Sequence, residues 1–401
     1  MSGDVMFRYL LCSFGLVLMY PTGIDMYLVG LPQIASQLGA SEAQLHIAFS
    51  VYLAGMATTM LFAGSLADRI GRKPITLFGA LLFALASYFA AGSQTSDLFL
   101  IARFAQGIGA GCCYVVAFAI LRDVLDDKRR AKVLSMVNGV TCIIPVIAPV
   151  IGHLIMLKFP WPSLFYTMAA MGLLVFALCL LVLRETHSKA AFHTQALPGV
   201  QRESFKQGFF ISRLVITTLG VTTILSYVNV SPMLIMGQMG FDRGQYSNTM
   251  AMMALVSMLA SFSTPFLLNR FKEKSLILFS QGLFVAAALV FILTQLGGVS
   301  HSFNLLGFAF VCSGFSIGFG VTMSQALSPF VARAGVASSL LGIAQVCTSA
   351  LYIWVMGLLE VSAINILLLI LSVGALVSIT LMLAVPKMSE MVVNEQIPES
   401  A

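Results

Sequence analysis

Apolar residues run through this chain in blocks of about twenty, each closed by a short polar break, and a helix of about twenty residues rising ~1.5 Å each crosses the ~30 Å hydrocarbon layer of a bilayer. Twelve such blocks can be marked, at residues 6–29, 42–66, 75–93, 96–121, 132–156, 163–183, 209–236, 244–267, 275–296, 303–326, 335–359 and 362–385. No water reaches the backbone N–H and C=O groups inside lipid, so each crossing must be a helix or a strand of a closed barrel. The strict apolar–polar alternation of a barrel strand is absent. The pattern therefore predicts an all-α membrane protein with twelve transmembrane helices.

An even number of crossings puts both termini on one side, and charge chooses the side. Of the 22 Lys and Arg residues, nineteen fall on the terminal side, sixteen of them clustered at 69–73, 122–132, 184–213 and 270–274, with Arg8, Arg333 and Lys387 besides. Lys158 and Arg243 fall on the other side, and Arg103 lies inside the fourth span. Short loops rich in Lys and Arg stay in the cytoplasm, so both termini are expected there. The longest polar stretch has no apolar periodicity and divides the chain into an N-terminal six-helix bundle (1–183), a cytoplasmic central loop (184–208), a C-terminal six-helix bundle (209–385) and a cytoplasmic tail (386–401). GSLADRIGRKP at 64–74 is echoed by NRFKEKS at 269–275. Repeated halves of this kind are common in transporters whose site lies at the midplane.

Composition narrows the classes. With 59% hydrophobic and 9% charged residues, against roughly 25% charged in a soluble domain, the natural partner of this surface is the lipid bilayer. The net charge of +6 sits in loops and builds no basic domain for nucleic acid. All seven cysteines lie in apolar stretches without metal-ligand spacing, and the five histidines are scattered, so neither a metal site nor an enzyme is indicated. No GxxxxGK[ST] loop is present, which leaves ATP hydrolysis unsupported and calls for no cofactor. The apolar run after Arg8 continues past a small-residue cleavage site and contains Asp25, so it reads as a retained first helix and not as a signal peptide.

Three features carry chemistry. The segment Gly64-x-Leu66-Ala67-Asp68-Arg69-x-Gly71-Arg72-Lys73 is a tight turn bearing charges of both signs at the cytoplasmic surface. Glycines let two helix ends approach, and Asp68 is suited to the positive N-terminal end of a helix from the other half, an interaction of roughly 0.3–2 kcal/mol that a transport cycle can make and break. A plain basic anchor loop would need the cations but not the ordered Gly, Asp and Gly. Asp25 is the one acid well inside a span. A charge at bilayer depth costs ~2.5–3.5 kcal/mol or more, and low dielectric favours the neutral carboxyl, so Asp25 suits a proton carrier; capping a broken helix is the structural alternative. Arg103, the one basic residue inside a span, must find a counter-charge, a carbonyl or water, and locking helices together is its structural reading. Gln106, three residues on, shares its helix face.

These segments resemble the major facilitator superfamily, and within it the drug:proton antiporters of the twelve-helix Bcr/CflA type. The turn at 64–73 is similar to motif A; Gly23-Ile24-Asp25-Met26-Tyr27-Leu28 with Leu31-Pro32 resembles the first-helix signature; and Arg103-x-x-Gln106-Gly107-x-Gly109-Ala110 resembles motif B. Gly139 through Pro145, Pro149 and Gly152 resembles the antiporter motif C, which departs from its pattern in having Ala148-Pro149 for the usual Gly-Pro and His153 after Gly152. The resemblance implies two six-helix bundles, proton coupling by Asp25 and Arg103, a latch made by Gly64, Asp68, Arg69, Gly71 and Arg72 with Asp123 pairing to Arg72, and a monomer. It also implies a proton-coupled multidrug antiporter of the bacterial inner membrane that exchanges protons for small amphipathic drugs, chloramphenicol among them. An exporter or importer of a small metabolite on the same fold is the alternative. For the pocket, Tyr27 beside Asp25, Gln106, and Tyr227 and Asn229 ahead of Pro232 are the substrate-binding candidates, with Met-rich stretches such as 250–258 supplying adaptable apolar surface.

Overall fold

The computed structural model describes residues 3–125, 133, 144–186, 205–330 and 334–385. The described residues are helical and hold no strand. In chain order the helices are α1 (Gly3–Asp25), α2 (Leu31–Leu38), α3 (Glu42–Ile70), α4 (Arg72–Ala91), α5 (Ser96–Val124), α6 (Ile144–Met156), α7 (Pro162–Val182), α8 (Gly208–Pro232), α9 (Arg243–Leu268), α10 (Glu273–Gln295), α11 (Asn304–Leu327), α12 (Ala334–Leu358) and α13 (Ala363–Ala384). Among the described residues eleven helical segments are long and apolar enough to cross a membrane, and α6 is a shorter apolar helix within the predicted fifth span. Gly139 of the motif C segment lies outside the described residues, as do most of 184–208 and all of 386–401.

Local chemistry sets the ends. Ser41 and Gln44 form a reciprocal capping box that starts α3, the Thr95 hydroxyl accepts from the Leu98 N–H to start α5, and Pro162 opens α7, where a missing N–H costs nothing. The first span departs from the expected 6–29. It continues to Leu38 as a segment of 33 residues, because the helix breaks instead of ending: a 3₁₀ turn, Met26–Gly30, follows α1, and Pro32 restarts the chain as α2. Gly39 then closes α2 in the left-handed conformation, φ +59°.

The helices group into two compact units. One comprises Met1–Gln195, Val228–Ala254 and Ala350–Ala363; the other comprises Ala196–Tyr227, Leu255–Ser349 and Ile364–Ala401. In the first unit the Met6–Leu38 segment has 78% of its most apolar window buried, the highest share among the described spans. Backbones cross closely there. A side-chain carbon at Gly107 of α5 would run into the Tyr52 carbonyl of α3, and one at Gly55 of α3 into the Phe104 carbonyl of α5, which is why small residues stand at both places. In the second unit Phe210, Phe330 and Leu341 form one apolar cluster, and Ile216, Ile277, Val321 and Met382 form another.

Candidate functional site

The break in the first span places the chemistry. Pro21 lies inside α1 and has no N–H to give, the Thr22 hydroxyl returns a bond to the Leu18 carbonyl at 2.7 Å, and α1 stops at Asp25. Asp25 is 3% exposed, and its carboxylate makes no capping bond to the 3₁₀ turn that it precedes. Neighbours pin this turn from two sides. A side-chain carbon at Gly152 of α6 would approach the Met26 carbonyl to 2.8 Å, and one at Gly30 would meet Leu164 of α7 at 2.9 Å. Pro149, one turn from Gly152, is buried, and Pro145 is half-buried in the same short helix.

Arg103 reaches this break from α5. Its Nη1 donates to the Gly23 carbonyl at 2.9 Å and also to the Gln106 side-chain oxygen. The guanidinium lies between two rings, 4.2 Å from the Tyr27 centroid and 4.4 Å from that of Tyr52, a setting in which ring quadrupoles favour a cation. Gln106 is held in turn, its amide nitrogen donating to Ser87 Oγ at 2.8 Å. Tyr52 donates its hydroxyl hydrogen to the Tyr20 carbonyl at 2.9 Å, and a side-chain carbon at Gly23 would strike that hydroxyl. Arg103 is fully buried, and its Nε and Nη2 have no hydrogen-bond partner among the described residues. Its guanidinium and the Asp25 carboxylate are not among the ion pairs of the described residues. The structure thus gathers Asp25, Tyr27, Arg103 and Gln106 around one break, with the arginine gripping a carbonyl two residues before the acid.

The latch residues meet at the other end of α3. Gly71 carries φ +113° between α3 and α4, a conformation that strains any residue with a Cβ. Arg72 then turns back to pair with Asp68 one turn earlier, while its Nε bonds Asp123 of α5 at 2.9 Å. Glu185, which sequence reasoning missed, accepts the backbone N–H groups of Arg72 at 2.8 Å and Lys73 at 3.1 Å. An acid at a helix N-terminus is favoured by both hydrogen bonding and the helix dipole. Gly64 is half-buried, with Val115 the nearest atom to a side-chain carbon there at 3.7 Å, and Arg69 is exposed. Asp68 keeps 35% of its side chain accessible, so its pairing with Arg72 leaves it open to a further donor.

The remaining pocket candidates divide. Tyr227 belongs to the second unit, its ring 5.1 Å from that of Phe308. Asn229 belongs to the first, where its amide lies 2.8 Å from His46 Nδ1. Met250 and Met253 are buried, whereas Met252 and Met258 are exposed as lipid-facing residues would be. No group of three or more His, Cys, Asp or Glu suited to a metal occurs among the described residues. Tyr52 and Glu185 carried no local signal, since each acts on a partner from 32 to 113 residues away.

Comparison with known proteins supplies the family. Residues 13–356 match the family model described as Major Facilitator Superfamily. A protein named Multidrug resistance protein MdtL from Shewanella sp. (strain ANA-3) is 90% identical over 396 residues, 99% of this chain and all of the relative. Its namesake from Vibrio parahaemolyticus is 60% identical over 98% of this chain and all of that one. Among solved structures, a D-xylose-proton symporter superposes with a TM-score of 0.77 at 15% identity over 95% of this chain and 98% of its own. A bacterial homologue of the human lysosomal transporter Spinster, inward-facing and unoccupied, gives 0.72 at 14% identity over the whole of both chains. At such identities these two establish a shared fold alone.

Proposed function

The chain belongs to the major facilitator superfamily, and from that premise we propose that it is a multidrug exporter of the bacterial inner membrane in which Asp25 exchanges protons for drug while two six-helix halves alternate the site between the two sides. The observation that carries the reading is the buried, uncapped Asp25 at the break in the first span, beside a caged arginine with free donors. An uncapped carboxyl at a helix break is not needed to hold the break together. Its ionised form, by contrast, adds a negative charge at the break whose Gly23 carbonyl Arg103 grips, so a proton leaving Asp25 changes the balance of forces on helix α1.

One proton is enough for useful work. A unit charge moving through 100 mV releases ~2.3 kcal/mol, which at ~1.4 kcal/mol per factor of ten sustains roughly a 40-fold gradient of a neutral drug. A single membrane acid implies one proton per cycle. Export of a neutral drug such as chloramphenicol is then electrogenic, export of a monovalent cation is electroneutral, and dications are poor cargo. The Arg72 cluster serves as the cytoplasmic latch, with Asp68 as the group that changes partners. Both termini lie in the cytoplasm by the bias of Lys and Arg, and the protein acts as a monomer.

Drug accumulation in membrane vesicles of known sidedness tests the direction. Inside-out vesicles energised with acid inside should take up chloramphenicol and lose it when a protonophore is added. Uptake that ignores the protonophore would remove proton coupling, and uptake only by right-side-out vesicles would reverse the direction in favour of an importer.

A further inference from the structure

Beyond the break, the first unit holds a cavity that the exchange at Asp25 does not use. It encloses about 410 Å³ and is walled by Leu31 and Pro32 where α2 begins, by Leu45 of α3, and by Pro232, Met233 and Gln238 around the turn after α8. That volume lies in the range of small-molecule sites, which are mostly apolar with a few placed polar groups. Glu42 is the one formally charged residue in its wall, and no basic residue joins it there.

The Glu42 carboxylate is built into place. Its Oε1 accepts the backbone N–H of Ala363 at 3.0 Å and lies 3.7 Å from Nε2 of His46. His46 is fully buried, and its Nδ1 faces the Asn229 amide nitrogen at 2.8 Å. An amide N–H donates, so Nδ1 accepts and the ring proton rests on Nε2, aimed at the carboxylate and without a hydrogen-bond partner of its own. Half of the Glu42 side chain, 51%, remains accessible. The acid is therefore held from behind and open in front, which is how an anionic subsite differs from a solvated surface glutamate.

Its position along the transport path follows from helix geometry. Glu42 starts α3 and Arg69 stands in its last turn, 29 residues in all, so the cavity and the basic latch turn lie at opposite ends of a helix about 43 Å long. The five-residue 3₁₀ turn separates Asp25 from Leu31, and six steps at about 2 Å per residue set the cavity wall roughly 12 Å farther along the same span. With the basic turn on the cytoplasmic side, that direction is outward.

We propose that this cavity is an outer subsite for monovalent cationic amphipathic drugs on their way out, with Glu42 as the counter-charge and His46 as the residue that positions it. The proposal rests on the export reading above. A cation displaced from the central site when Asp25 takes up a proton meets a second carboxylate among apolar walls, and Met233 gives those walls the adaptability that varied cargo needs.

Binding separates this idea from proton exchange. The probe is tetraphenylphosphonium, titrated against the purified full-length protein carrying Asp25→Asn, so that the central acid contributes no charge. Saturable binding is expected in that protein. Adding Glu42→Gln should weaken it about tenfold, and Glu42→Asp should keep most of it, with the thermal midpoint unchanged in both. Leu45→Trp, which fills the cavity and leaves the acid intact, should abolish it. His46→Ala should weaken it about threefold, and His46→Gln, which restores a donor, should recover the loss. An absence of saturable binding, or equal affinities for Glu42→Gln and Glu42→Asp, or unaltered binding in Leu45→Trp would each overturn the proposal. None of these titrations reads proton movement, so a failure of the exchange mechanism would show up separately, in proton release by the parent protein.

Discussion

Two arginines of the first unit are almost equally hidden, Arg72 with 3% of its surface accessible and Arg103 with none, yet the chain neutralises them in opposite ways. Arg72 sits between the carboxylates of Asp68 and Asp123, and its own N–H is taken by a third, Glu185. Among the described residues Arg103 has no carboxylate partner. It has one carbonyl, one amide oxygen and the faces of Tyr27 and Tyr52 close by, and two of its nitrogens have no hydrogen-bond partner there. Since a buried ion without its counter-ion costs several kcal/mol, the first cluster is complete as it stands and the second is not. The incomplete one lies two residues from the acid assigned to the proton. A finished ion-pair cluster suits a fastening that holds one state, and an unfinished one suits a place where charge arrives and leaves.

The comparison breaks most visibly at Arg103. Arg103→Ala should reduce drug efflux from energised vesicles by about 100-fold or more, because it removes the grip on the Gly23 carbonyl, two residues before Asp25, and leaves a void between the Tyr27 and Tyr52 rings. Arg103→Lys should recover only part, since an ammonium cannot span a carbonyl and two ring faces as the planar fork does; full activity in the lysine variant would show that the caged geometry is irrelevant. Next in size, Arg72→Ala should slow turnover about tenfold while the equilibrium affinity for drug stays within twofold. A change in affinity alone would mean that the cluster shapes the binding site and is no latch. Glu185→Gln, which weakens the acceptor at the start of α4, should lower the thermal midpoint by a few degrees and cut turnover about threefold, a cap of this kind being worth roughly 0.5–2 kcal/mol. The smallest effect belongs to Lys73→Ala. Among the described residues its ammonium donates to the Leu180 carbonyl, and efflux should fall less than twofold.

The sequence showed the spans well because each is a self-contained apolar block. The ends of α3, α5, α7 and α10 fall within a few residues of the predicted bounds for the same reason. It did not show that the first span runs on to Leu38. Asp25 was visible as an acid in an apolar run, but the turn after it depends on α6 and α7 pressing against Met26 and Gly30, which no local pattern encodes. Arg103 and Gln106 could be placed on one face from their spacing, whereas Tyr52 could not be added, since its ring arrives from another helix. Arg72 and Asp123 meet as the family resemblance implied. Glu185 joins them from 113 residues away. Asn229 was singled out by its place ahead of Pro232, and only the fold reveals that its amide lies against His46.

The central claim is that the Asp25 carboxyl changes its ionisation as drug moves, and proton release measures it most directly. Purified protein in lightly buffered detergent solution, with a pH-sensitive dye, should release close to one proton per molecule when chloramphenicol is added. The Asp25→Asn protein, with an unchanged thermal midpoint, should release none. Undiminished release from Asp25→Asn would contradict the account and pass the proton to another group.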